Sequence, residues 1–113
     1  MNSYNYQLKT REELRKLIEQ RIKEEGNEVD LNDIDVSNIT DMSDLFYDLD
    51  KFNGNISKWD VSNVTDMIGM FDNCENFNQD ISKWNVSKVV YTDEMFDSCP
   101  IEDKYKPIFN NNI

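Results

Sequence analysis

A phrase that opens at Ile34 as Ile-Asp-Val-Ser-Asn-Ile-Thr-Asp-Met returns at Trp59 as Trp-Asp-Val-Ser-Asn-Val-Thr-Asp-Met, 25 residues on. It comes back once more, decayed, as Trp84-Asn85-Val86-Ser87-Lys88-Val89, and Met95, Phe96 and Cys99 hold the phase until Pro100 ends it. Copies locked in one phase without insertions restrict the fold sharply. Each copy is too short to bury its own apolar face, so the copies must stack on one another.

Two local patterns alternate within a copy. Ile56 to Val61 and Ile81 to Val86 interleave apolar and β-branched residues with polar ones, which predicts a short strand with Trp and Val on one face. Thr65 to Phe71 starts with an N-cap residue and an acid, then sets Met67, Met70 and Phe71 at helical spacing. Each rung is therefore expected to be a short strand plus a short helix.

A stack of rungs leaves an apolar end that needs a cap. Thr10-Arg11-Glu12-Glu13 has the Thr-x-x-Glu spacing of a capping box, and a helix from Arg11 to about Glu25 follows. Its stripe of Leu14, Leu17, Ile18 and Ile22 is the expected lid, with Gly26 at a left-handed C-terminal cap. A helix that binds a partner is the alternative. The alternation of Tyr4, Tyr6 and Leu8 predicts a short strand or extended arm before it. The chain is expected to be one domain over 1–113: arm and capping helix over 1–26, about three rungs over 27–99, and a C-terminal cap and tail over 100–113. Ile101, Tyr105, Ile108 and Phe109 are expected to fold over the last rung.

The Trp59 to Met67 phrase, with Met70-Phe71, Cys74 and Phe77-Asn78-Gln79-Asp80-Ile81-Ser82-Lys83-Trp84 in fixed phase, resembles the BspA-like leucine-rich repeat family, the mycoplasma-type surface-lipoprotein repeat. The resemblance covers Asn27 to Cys99. It implies an α/β repeat, a short right-handed leucine-rich-repeat-like solenoid, on proteins that bind host or partner proteins without catalysis.

The formal net charge is −11, and it is unevenly spread: six Lys/Arg against five Asp/Glu over 1–26, then six Lys against 18 Asp/Glu over 27–113. Such a body repels phosphate backbones and favours basic partners. Direct nucleic-acid binding is therefore not expected, and no apolar run approaches the ~18 residues of a membrane span. Met1-Asn2-Ser3-Tyr4 opens neither a secretory signal nor a lipidation motif, so the expected location is the cytoplasm.

No histidine occurs in the chain, which excludes Ser-His-Asp and Cys-His nucleophile systems and HExxH zinc sites. The expectation is a protein that is not an enzyme and takes no cofactor or metal. Cys74 and Cys99 have Leu49 as their counterpart one copy earlier, which points to small buried hydrophobes. A disulfide between stacked rungs is the alternative. Ile34, Trp59 and Trp84 form an apolar column better suited to packing than to a sugar platform.

Function is then left to the surface. With Trp and Val inward, Lys58, Asp60 and Ser62 form a polar ladder on the strand face. The helix face carries an acidic ridge of Asp41, Asp44, Asp48, Asp50, Asp66, Asp72, Glu75, Asp93, Glu94 and Asp97, beside the apolar patch Val90-Tyr91. The candidate partner-binding residues are Asp41, Asp44, Asp48, Lys58, Asp60, Asp66, Asp72, Glu75, Tyr91, Asp93 and Glu94. The expected function is an interaction module for a partner protein with a basic surface. The alternative is a small acidic inhibitor, from a phage or mobile element, that blocks a host nucleic-acid-binding defence complex by anti-CRISPR-like mimicry of nucleic acid.

Overall fold

The computed structural model describes residues 8–110, so the arm expected around Tyr4 and Tyr6 lies outside the described residues. Helix α1 spans Arg11–Glu25 and begins with the full capping box: the Thr10 hydroxyl accepts from the Glu13 amide, and the Glu13 carboxylate accepts from the Thr10 amide. Those two bonds satisfy donors that the first turn would otherwise orphan. Leu14, Leu17 and Ile18 are buried and Ile22 packs against the same core. Gly26 ends the helix at φ 97 and ψ 175, a positive-φ conformation outside the left-handed helical well expected of it.

The rest of the chain departs from the expected architecture. Among the described residues the only other helix is a 3-10 turn, Asp103–Tyr105, and there is no strand; three isolated parallel bridges join Asp30 to Asn55, Asp41 to Asp66 and Asp66 to Tyr91. The α/β rung of strand plus helix, and with it the right-handed leucine-rich-repeat-like solenoid, is not what forms. The radius of gyration is 13.0 Å, close to the ~13 Å of a compact domain of about 100 residues.

Backbone hydrogen bonding explains the difference. Over Met42 to Leu49 the amides alternate in use. Those of Met42, Asp44, Phe46 and Asp48 donate to the carbonyls of Asp66, Ile68, Met70 and Asp72 in the next copy, at 2.8 to 3.0 Å, while those of Leu45, Tyr47 and Leu49 close three-residue-step turns onto Met42, Asp44 and Phe46. The second copy repeats the scheme: Met67, Gly69, Phe71 and Asn73 donate to Tyr91, Asp93, Met95 and Asp97. An α-helix would spend every amide on the carbonyl four residues back, and a strand would spend none locally. Here half go each way, so neither element forms. Positive φ at Asp44, Gly69 and Glu94, and again at Asp48, Asn73 and Ser98, recurs in phase and breaks any helical run. At Gly69 an added Cβ would meet the Asp44 carboxylate, which would have to turn aside.

The predicted strands fail for a related reason. Trp59, Val64, Trp84 and Val89 each donate to the buried residue three positions back, Ile56, Val61, Ile81 and Val86. Buried positions therefore run 56, 59, 61, 64 and 67, with steps of three and two that no pleated strand can hold on one face.

Stacked copies bring equivalent side chains into contact. Phe46, Phe71 and Phe96 form one aromatic column, at 5.2 and 5.7 Å between ring centroids and within 6° of parallel. Phe52 over Phe77 and Trp59 over Trp84 form two more, at 5.9 and 6.5 Å. The Trp59 and Trp84 indoles donate to the Leu31 and Ile56 carbonyls, which satisfies their N–H groups inside the core. Beyond the third copy, Ile101 is buried and Tyr105 and Phe109 pack against the core, but Ile108, expected to cover it too, is 87% exposed.

Candidate interaction surface

The chain's three arginines, Arg11, Arg15 and Arg21, all lie on α1. The Arg11 guanidinium donates to the Ser43 carbonyl at 2.9 Å, and Arg15 donates to the Leu45 and Tyr47 carbonyls at 3.1 Å. These carbonyls are the first-copy counterparts of Ile68, Met70 and Asp72, which accept from the preceding copy. Arginine thus replaces the missing neighbour at this end of the ladder. Buried Arg21 fastens the far end of α1, with bonds to Glu25, the Asp33 carboxylate and the Asp30 carbonyl. The expected cap is therefore as much polar as apolar, and the restriction of arginine to one helix is the sequence signal for it. Planar guanidinium, with five donors, suits clustered carbonyls better than ammonium.

Many of the recurring acids have structural work. Asp35 and Asp60 each accept from the amide and hydroxyl of the Ser two residues on, and Asp80 does the same with Ser82. Asp41 and Asp66 accept from the Ser43 and Ile68 amides in the same way. These are Asx turns, and at Asp66 the turn takes the place of the first-turn helix role that the spacing suggested. The Ser62 hydroxyl and amide hold the Asp60 carboxyl below the ordinary range. In the third copy Tyr91 stands where Asp41 and Asp66 stand, so this turn has no side-chain acceptor there.

The ridge residues share one part of each copy, built from 41–50, 66–75 and 91–98 and joined by the interlayer ladder. Asp41 and Asp44 lie within the field of Arg11, and Asp48 accepts from the Asn73 side chain. Asp72, Glu75, Asp93, Glu94 and Asp97 form no ion pair among the described residues. No Lys or Arg occurs from Trp59 to Ser82 or from Val89 to Asp103, so the sequence supplies no local counter-charge. Tyr91, 55% exposed, adjoins the acids of the third copy. Lys58 and Asp60 belong to a different segment, where the Lys58 amide donates to the Asn32 side chain, and the structure does not bring them into the ridge.

A family model described as Mycoplasma protein of unknown function, DUF285, matches residues 13–111. The chain belongs to this family. No curated protein and no solved structure matches it. The match begins inside α1 and runs through all three copies, so most of the helix, with Arg15 and Arg21, falls within the DUF285 unit.

The two thiols of this DUF285 chain are free and do not pair. Cys74 is buried, its Sγ donates to the Phe46 carbonyl at 3.0 Å, and burial pushes its thiol up to about 12. Burial also raises Cys99, which is only partly covered. A thiol held protonated is a poor nucleophile. At mildly alkaline pH iodoacetamide is expected to modify Cys99 well before Cys74, with Cys74 reacting only on unfolding; equal rates by mass spectrometry would show that the second copy opens readily.

Proposed function

We propose that this DUF285 chain is a non-enzymatic protein-interaction module whose acidic ridge recognises a basic surface on a partner protein. The observation that carries the proposal is the run of Asp72, Glu75, Asp93, Glu94 and Asp97 across two stacked copies, without an ion pair among the described residues and without a Lys or Arg from Trp59 to Ser82 or from Val89 to Asp103. Like charges held on a rigid ladder repel one another, and a cationic partner relieves that repulsion while being steered toward it. The narrower kinship with BspA-like surface repeats is part of the same proposal; it rests on the Trp59 to Met67 phrase and on no strand or helix within the repeat.

Reversal of Asp72, Glu75 and Asp97 to Lys provides the test, because none of these side chains forms a hydrogen bond among the described residues. Asp66 is left alone, since its carboxylate supports the Ile68 amide. The immobilised parent is expected to retain a partner from a bacterial lysate at low salt and release it as ionic strength shortens the Debye length below ~10 Å. The triple variant is expected to bind that partner about tenfold or more weakly, with unchanged thermal unfolding. Retention that is indifferent to salt and to the three reversals would sink the proposal. Competition by DNA or RNA would assign the partner to the nucleic-acid-binding class and favour the inhibitor role.

A further inference from the structure

The interlayer ladder ends differently at its two ends. At the first copy the carbonyls of Ser43, Leu45 and Tyr47 are covered by Arg11 and Arg15. At the third copy the amides of Thr92, Glu94, Phe96 and Ser98 stand in the phase of Met67, Gly69, Phe71 and Asn73, and none of the four has an acceptor among the described residues. The local turns of this copy are nonetheless complete, with Met95, Asp97 and Cys99 donating to Thr92, Glu94 and Phe96. The edge is therefore formed and in register. A groove of about 830 Å³ runs beside it, walled on the other side by Lys106, Pro107, Ile108 and Phe109.

We infer that this edge docks an extended basic segment of a partner protein, whose backbone carbonyls continue the ladder while its Lys or Arg side chains meet Asp93, Glu94 and Asp97. The inference rests on the interaction-module reading above and gives it a place and a mode. Four amides on alternate residues match a chain that presents a carbonyl at every second residue, the pattern by which peptides add to an exposed edge. Three acids flank that row, and the one cation of the groove, Lys106, is already paired with Asp103 at 3.0 Å. A second copy of this chain does not fit. Joined through the same ends, donors would face donors and acids would face acids. Joined head to tail, the edge would have to displace α1, whose arginines occupy the carbonyls it needs.

The experiment follows amide hydrogen exchange by NMR in the full chain, with and without a blocked alternating Arg-Val peptide of about eight residues, long enough to offer four carbonyls along one edge. In the free protein the Met67, Gly69, Phe71 and Asn73 amides are expected to exchange slowly and those of Thr92, Glu94, Phe96 and Ser98 fast. Peptide is expected to slow the latter four about tenfold or more. An alternating Glu-Val peptide, and the Asp93→Lys, Glu94→Lys, Asp97→Lys variant with Arg-Val, are expected to give no slowing while the second-copy amides stay protected. Slow exchange of the four edge amides without peptide would overturn the inference, because the edge would already be covered. Arg-Val binding that protects other amides would overturn it too and leave the acidic module standing. Absence of any Arg-Val binding would overturn the docking mode, while lysate capture by the ridge would remain its own test.

Discussion

Phe71→Ala is expected to destabilise the domain by about 3 to 5 kcal/mol, the range for removing a buried aromatic side chain without collapse of the space it leaves. The ring is fully buried and sits at the crossing of the stack: Phe46 lies 5.2 Å before it, Phe96 5.7 Å after it, and Phe77 only 4.4 Å to the side. Its own amide belongs to the ladder, so the backbone around it cannot move in to fill the cavity without breaking the bond to Met95. Phe96 occupies the same column but has an aromatic neighbour on one side only, with the Lys106 ammonium 5.2 Å from its ring. Phe96→Ala is accordingly expected to cost roughly half as much. Urea unfolding followed by Trp59 and Trp84 fluorescence measures both, since the two indoles are buried in adjacent copies. Equal losses for the two variants would mean that the column is not a shared support and that each copy stands by itself.

The column was legible in the sequence and the backbone was not. Period and phase require equivalent residues to stack, so burial of Trp59, Val61, Val64, Met67, Phe71, Cys74 and Phe77 follows from the phrase alone. The course of the chain between them depends on which amides point along the stack, and apolar spacing is silent about that. Two signals bore on it. Ile56, Trp59 and Val61 are separated by three and two residues, which a strand cannot keep on one face, and Gly69 with Asn73 marks two positive-φ positions four residues apart, which a helix cannot hold. The Asp-x-Ser recurrence is likewise an Asx-turn signature at Asp35, Asp60 and Asp80.

The candidate surface divides in the same way. Acid content and the repeat period lead one to expect Asp72, Glu75, Asp93 and Glu94 in the same part of successive copies, with Asp72 in phase with Asp97. What composition could not assign is which acids are already occupied. Asp60 and Asp66 hold turn amides, Asp48 holds Asn73, and Asp41 and Asp44 lie in the field of Arg11. The unoccupied charge is thereby shifted toward the third copy, where Tyr91 replaces an aspartate and the edge amides have no acceptor among the described residues.

Leu17→Asp is the companion test at the opposite end and is expected to cost about 4 kcal/mol or more, since it removes a buried leucine and places a carboxylate in the apolar core under α1. Leu17 is 5% exposed and lies in the core cluster with Leu14 and Ile18, on the same helix as Arg11 and Arg15, which hold the first-copy carbonyls. Lifting α1 would therefore uncover apolar surface and release the Ser43, Leu45 and Tyr47 carbonyls together. Helix and stack should fail in one transition, with far-ultraviolet circular dichroism and Trp84 fluorescence reporting the same midpoint although Trp84 is in the last copy. Arg15→Ala breaks only the polar half of the cap and is expected to cost about 1 to 3 kcal/mol, the penalty of carbonyls left short of a donor, softened by their partial access to water. A Leu17→Asp chain that melts like the parent would show that α1 is not bound to the stack in solution, and the partner-binding helix set aside at the outset would become the better account of it.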